Sequence, residues 1–409
     1  MPIVQQVVFN VPGKDLVMQW LLKDAKTLLL SCLLLMGFSS LTYAQWPMPI
    51  QNQNFADYLN QADSYLEQNK EWIVSANKQA EKRAVMPFEI KPREGCGNNG
   101  IGVLLVHGLS DSPYSLRSMG EALSQRCLWV RAVLLPGHGT KAEDLINVHR
   151  NEWRKIVTQA VDNFAQQTQS LYIAGYSTGG TLALDYMAQT NSSLDGLILF
   201  SPLLKINTNA DWLTPIIATF MNWLDHKKSD DPAKYASIPV PAMAQTFHLA
   251  TEVRKGLREQ ALELPIFIAM SAEDKTVNSQ TTLNYFRDSM VNPDSRLWLY
   301  SNAKVNFEDS RVTEINAYDE TLKITGFSHM SVHMDPNDPY YGKGGSYRVC
   351  QWYEDELLSR CKQDKQGWQG EKGDLLSSKT DYGARLSWNP DFERLVDEIS
   401  QYIKTTSRH

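Results

Sequence analysis

The chain has 409 residues, 43% hydrophobic and 21% charged, ordinary for a globular protein and enough for a large core in one domain with insertions. Its formal net charge is −6; three lysines and two aspartates precede residue 45, so the remainder carries −7. That balance argues against nucleic acid as a partner, because no basic surplus is available to neutralise phosphates.

Residues 28–38 form a nearly unbroken apolar run, preceded by Lys23 and Lys26 and followed by Thr42, Tyr43, Ala44 and Gln45. This is the layout of a secretory signal cleaved after Ala44, and a start at Met18 would give the basic segment a more usual length. An uncleaved anchor, lipidation at Cys32 and a buried core helix are the rivals. The apolar stretch runs on past Cys32, which weakens lipidation, and the polar residues after the run weaken the core helix. Residues 1–44 are therefore expected to be a signal peptide or an N-terminal membrane anchor. The protein is expected to be exported, periplasmic or extracellular, with the anchor as its route to membrane association.

Of five cysteines, four follow the leader, the even number expected in an oxidising compartment. Cys96 and Cys127 each precede a predicted strand, and parallel neighbours would put both thiols at one end of the sheet. The expected pairs are Cys96–Cys127 and Cys350–Cys361, with free buried thiols as the alternative.

Residues 45–99 read as an N-terminal linker and helix, the helix spanning 57–85 with Tyr58, Tyr65, Leu66, Trp72 and Ile73 able to share one face. Gly95, Gly97 and Gly100 spell G-x-G-x-x-G, but a strand follows them where a dinucleotide site needs one before. Short apolar runs at 103–106, 130–135, 171–174, 197–200, 265–270, 296–300 and 321–325 then alternate with helical stretches. Such alternation predicts an α/β fold: a mostly parallel twisted sheet with helices on both faces. The core is expected over 100–202 and 261–409.

The insertion between them, 203–260, comes before the strand at 265–270 and carries Trp212, Ile216, Ile217, Phe220, Trp223 and Leu224 as an apolar helical stripe. Insertions at strand carboxyl ends lie over the crevice where ligands bind, so this one reads as a lid. The stripe either lines an acyl pocket, making Trp212, Phe220 and Trp223 candidate substrate contacts beside Tyr176, or attaches the lid to the body. Residues 350–382 are polar and aperiodic, a surface excursion. Residues 391–403 read as a closing helix with Phe392, Leu395, Val396, Ile399 and Ile403 on one side.

The chemistry centres on Gly175, Tyr176, Ser177, Thr178 and Gly179, which read G-x-S-x-G between an apolar strand and a helix. A turn this tight lifts the serine hydroxyl above the sheet, and small flanking residues tolerate the crowding. A serine hydroxyl needs a base, and the base needs a carboxylate to fix its tautomer. Asp274 lies just past the end of the strand at 265–270, with Glu273 as neighbour and alternative. His329 follows the run at 321–325, with His333 as competitor. The order Ser177, Asp274, His329 is the one expected on such a sheet.

Backbone donors for the developing oxyanion are expected from Thr178 at the start of the following helix and from Leu109 in the loop His107-Gly108-Leu109-Ser110-Asp111. His107 belongs to that loop and reads as structural. His329 and His333 have i, i+4 spacing but no intervening glutamate, which argues against a zinc helix. Asp335, Asn337 and Asp338 lack a full calcium loop.

These residues together resemble the α/β-hydrolase superfamily, in its carboxylesterase and monoacylglycerol lipase branch. The resemblance rests on residues 103–109 with their His-Gly pair, the Leu135-Pro136-Gly137-His138-Gly139 loop, the serine turn, Asp274 with Val277 three residues on, and His329. It implies a lidded serine hydrolase that cleaves small-molecule or lipid carboxylic esters without metal or cofactor. The trailing segment 336–345 and the polar excursion depart from the family pattern. An acyltransferase, thioesterase or peptidase would share the first half-reaction, and a silent binding protein on the same scaffold would lack a triad member.

Overall fold

The computed structural model describes residues 46–409 except 75–76, 98–99, 190–193, 372–381 and 408–409. The leader, Met18 and Cys32 lie outside the described residues, as does part of the polar excursion.

The first elements are α1 (Phe55–Asn69) and α2 (Lys78–Val85) rather than one helix over 57–85. The break follows Lys70, which is extended. There the Glu81 carboxylate accepts from the Ile73 and Val74 N–H groups at 2.9 and 2.7 Å, replacing helical partners with a side chain. The chain continues through β1 (Phe88–Ile90), β2 (Ile101–Val106), α3 (Arg117–Gln125), β3 (Trp129–Val133), α4 (Arg150–Ala165), β4 (Ser170–Tyr176), α5 (Thr178–Gln189) and β5 (Gly196–Phe200). Next come α6 (Thr214–Ala218), α7 (Val240–Glu259), β6 (Ile266–Ser271), α8 (Ser279–Ser289), β7 (Arg296–Ser301) and β8 (Val312–Asn316). The last are α9 (Asp355–Gln363), β9 (Gln369–Gly370), β10 (Ala384–Arg385) and α10 (Phe392–Thr406).

Eight strands form one sheet in the order β1-β3-β2-β4-β5-β6-β7-β8, with β1 antiparallel to β3 and the other pairs parallel. Strands β2, β4, β5 and β6 are buried at every position, which explains their unbroken apolar sequences. One face packs against α4, α5 and α7 through Trp153, Ile156, Leu182 and Leu249; the other packs against α3 and α10 through Leu123, Leu395 and Ile399. From β2 the chain steps to β3 on one side, then returns for β4 on the other. Loops leaving β2 and β4 therefore part, opening a crevice at their carboxyl ends.

Two further features differ from expectation. The run 321–325 is not a strand of the sheet; Ile324 makes only isolated bridges to Asp319 and Gln369, and the eighth strand is β8. As the edge strand β8 is largely solvent-facing, so it lacks the apolar signature of its neighbours. In the insertion, the apolar stripe supplies only the short α6, and the long helix is α7, further on. The disulfides join Cys96 to Cys127 and Cys350 to Cys361, with Cα separations of 5.4 and 6.1 Å. The first closes the amino ends of parallel neighbours β2 and β3, as expected.

Candidate active site

Ser177 occupies the turn between β4 and α5 with φ of 53°, a left-handed backbone that a non-glycine residue adopts only when its surroundings impose it. The surroundings are close. Its N–H donates to Phe200 O at 2.9 Å, and its carbonyl accepts from Thr181 and Leu203 N–H at 3.1 Å each. A Cβ on Gly179 would sit 2.0 Å from Val106 O, and one on Gly175 would sit 2.5 Å from Gly179 O, so Gly175 is required for the helix to start against β4 and Gly179 for the turn to pack on β2.

Three side chains from distant parts of the chain meet at this turn. His329 Nε2 lies 3.0 Å from Ser177 Oγ, and His329 Nδ1 lies 2.6 Å from Asp274 Oδ2. The other Asp274 oxygen accepts from the Thr276 and Val277 N–H groups at 2.7 and 2.9 Å. All three residues are buried. Glu273 points elsewhere, accepting from Asn302 N–H at 2.9 Å and Ser301 Oγ at 3.1 Å. His333 is fully buried between Tyr176 and Phe200, with ring centroids 4.2 and 5.5 Å away, and neither ring nitrogen has a hydrogen-bond partner among the described residues. Burial holds its pKa well below the usual histidine value.

Leu109 lies in the loop after β2, which passes over the serine: a Cβ on Gly108 would come within 3.2 Å of Ser177 Cβ. Thr178 opens α5, where the first N–H groups have no intrahelical partner. Two buried histidines fix the Leu109 loop. His107 Nε2 accepts from Leu135 N–H at 3.0 Å while its Nδ1 faces Gly108 O at 2.8 Å; His138 Nε2 accepts from Ser110 N–H at 3.1 Å while its Nδ1 faces Pro136 O at 3.1 Å. Each ring is thus held as a neutral tautomer.

Residues 100–304 match the serine aminopeptidase S33 family. The chain belongs to this family. It is an α/β-hydrolase of the lipase and esterase kind. It is similar to the thermostable monoacylglycerol lipase of Bacillus sp. (strain H-257), 30% identical over 193 residues that make up 44% of this chain and 73% of that protein. It is also similar to a carboxylesterase of Bacillus subtilis (strain 168), 21% identical over 48% of this chain and 81% of the relative. Among solved structures, a soluble variant of monoglyceride lipase from Saccharomyces cerevisiae aligns at 17% identity and a TM-score of 0.46, covering 56% of this chain and 85% of that one.

In this hydrolase a cavity of about 290 Å³ opens on Ser177 and His329. Leu203, Ile206, Ile238 and Met243 supply apolar wall, while Asp111 and Lys234 are polar, with Lys234 Nζ 3.4 Å from Asp111 Oδ1. Tyr176 and Leu109 also line it. The structure does not bring the other candidate substrate contacts here: Trp212 and Phe220 are 58% and 84% exposed, and Trp223 stacks on His226 at 4.1 Å. Gln351 reaches the cavity from the segment read as a surface excursion, Tyr341 and Val349 from the stretch before it, and Arg385 from β10 just beyond it. Nothing in their spacing marks them in the sequence. Among the described residues no cluster of three or more His, Cys, Asp or Glu is disposed to hold a metal ion.

The buried histidine pair makes stability pH-dependent. Burial pushes His107 down to about 4 and His138 down to about 3. Well above pH 6.5 both are neutral folded or unfolded and contribute no pH dependence. Below it the unfolded chain takes up protons that the folded chain cannot, so stability falls as pH falls toward the folded-state values. At pH 5 each ring should cost about 2 kcal/mol. Denaturant midpoints measured from pH 7.5 to pH 5 should fall steeply in the native chain and less steeply in His107→Gln.

Proposed function

We propose that Ser177, His329 and Asp274 form the catalytic triad of a carboxylic ester hydrolase. The observation that supports it most directly is the continuous path from Ser177 Oγ to His329 Nε2 at 3.0 Å and from His329 Nδ1 to Asp274 at 2.6 Å. His329 takes the serine proton as Oγ attacks the ester carbonyl, Asp274 holds the imidazole in the required tautomer, and the Leu109 and Thr178 N–H groups receive the oxyanion. The proton passes to the leaving alcohol, and water then releases the acyl group by the same steps in reverse.

The cavity supports an ester with an apolar acyl part and a polar alcohol part. At about 290 Å³ it is at the lower limit of the roughly 300–1,000 Å³ usual for ligand sites, which favours short and medium acyl chains. Monoacylglycerols, on which the Bacillus sp. relative acts by name, have that shape. The insertion over 203–260 contributes much of the wall and serves as the lid. Two disulfides and the leader-like first 44 residues support export.

A panel of 4-nitrophenyl esters from acetate to palmitate, with monoacylglycerols and aminoacyl-4-nitroanilides alongside, tests this reading. The expected result is ester turnover with an optimum at short or medium chains. Anilide cleavage faster than ester cleavage would instead make it a peptidase.

A further inference from the structure

Asp274 and His329 sit 55 residues apart on loops that follow different parts of the sheet. Ser271 Oγ donates to Phe327 O at 2.8 Å and ties the two loops behind the site. Their reactive ends are linked by a second connection. Strands β9 and β10 pair with each other, Arg385 opposite Gly370, and lie against the histidine segment: Thr325 N–H donates to Gln369 O at 2.9 Å and Ser328 Oγ to Leu386 O at 2.6 Å.

From this platform Arg385 Nη2 donates to Thr276 Oγ1 at 2.8 Å, two residues beyond Asp274, and to Glu371 Oε2 at 2.9 Å. The same Glu371 oxygen accepts from the His329 backbone N–H at 3.3 Å. A line of hydrogen bonds thus runs Thr276, Arg385, Glu371, His329. Glu371 is 1% exposed. The Arg385 side chain is 22% exposed, and burial of the Glu371 carboxylate strengthens its hold on the guanidinium. Both residues belong to the C-terminal segment, beyond the stretch that matches the family.

We propose that Arg385 and Glu371 are positioning residues that brace the aspartate and histidine loops at the separation the triad needs. The proposal rests on the triad reading given above. Its chemistry is geometric: displacing a catalytic group by about 1 Å costs on the order of a hundredfold in rate. The brace therefore acts on kcat through His329 and Asp274 and leaves substrate affinity to the rest of the cavity.

The double variant Arg385→Met/Glu371→Gln removes both charges, so neither is left facing a neutral substitute for the other. Its kcat should fall roughly ten- to a hundredfold with KM within about threefold of the native value, and its melting temperature should change by a few degrees. Arg385→Lys, which retains a cation within reach of Glu371, should recover most of the loss. Thr276→Val leaves the ion pair intact and cuts only the link to the aspartate loop; it should lower kcat severalfold at unchanged KM and serves if the double variant does not fold. Native kcat in the folded double variant or in Thr276→Val overturns the brace. So does a rise in KM at constant kcat, which would make Arg385 a substrate contact. Fluorophosphonate labelling of the native chain separates the two readings: no labelling defeats the triad itself, whereas equal labelling rates in native and double-variant chains defeat only the brace.

Discussion

Replacing Ser177 by alanine should lower kcat for an ester substrate on the order of 10⁶-fold while leaving the protein folded and KM within a few-fold of native. The fold should tolerate the change because the turn is held by backbone bonds, from Ser177 N–H to Phe200 O and from Thr181 and Leu203 N–H to Ser177 O, none of which uses the hydroxyl. Alanine keeps the Cβ that already sits at φ of 53°, so no new backbone strain enters. Residual hydrolysis above that of water would come from the Leu109 and Thr178 donors and from binding. Steady-state kinetics with circular dichroism as a check on folding measures this. A variant retaining more than about 1% of native kcat would mean that another nucleophile does the work.

The second large effect is expected from Asp274→Asn, and the geometry says why so small a change should cost about 10⁴-fold in kcat. One Asp274 oxygen accepts from two backbone N–H groups, those of Thr276 and Val277; the other faces His329 Nδ1. An asparagine will keep its carbonyl oxygen on the two N–H donors, because the reverse orientation sets its amide hydrogens against them. Its NH₂ group then faces Nδ1, which must accept, and the imidazole proton moves to Nε2. In that tautomer the ring cannot take the serine proton. The loss should appear in kcat at nearly unchanged stability, and a decline of less than about tenfold would show that Asp274 does not set the tautomer.

Where burial is uniform, the sequence was easy to read. Strands β2, β4, β5 and β6 are covered on both sides, so their apolar runs announced them, and their alternation with helices pointed to the mostly parallel sheet. The serine turn was legible because G-x-S-x-G reports a steric need, now visible as a Gly179 that cannot carry a Cβ beside Val106 O. Ser177 and Asp274, picked out by their places after strands, meet His329 in space, although the run before His329 is not a strand of the sheet.

Legibility failed where partners are distant or exposure is partial. Edge strand β8 is largely solvent-facing, with Thr313, Glu314 and Asn316 breaking its apolar pattern, so 321–325 looked the better strand. Trp212 and Phe220 carry helical spacing, but periodicity cannot tell a buried stripe from one left in solvent, and here it is in solvent. Lys234, Glu371 and Arg385 are ordinary charges in polar stretches. Only the fold brings Lys234 to Asp111, and Arg385 to Glu371 and Thr276. His138 was noticed only as part of a loop, because its use, accepting from Ser110 N–H, depends on two turns meeting.

If His329 and Asp274 make the Ser177 hydroxyl reactive, covalent labelling will report it. The native chain and His329→Ala would be treated with a fluorophosphonate at neutral pH, digested, and the adduct located by mass spectrometry. The expected result is a single adduct on Ser177 in the native chain and labelling slowed by several orders of magnitude in His329→Ala. An adduct on a different residue, or equal labelling rates in the two chains, would contradict it.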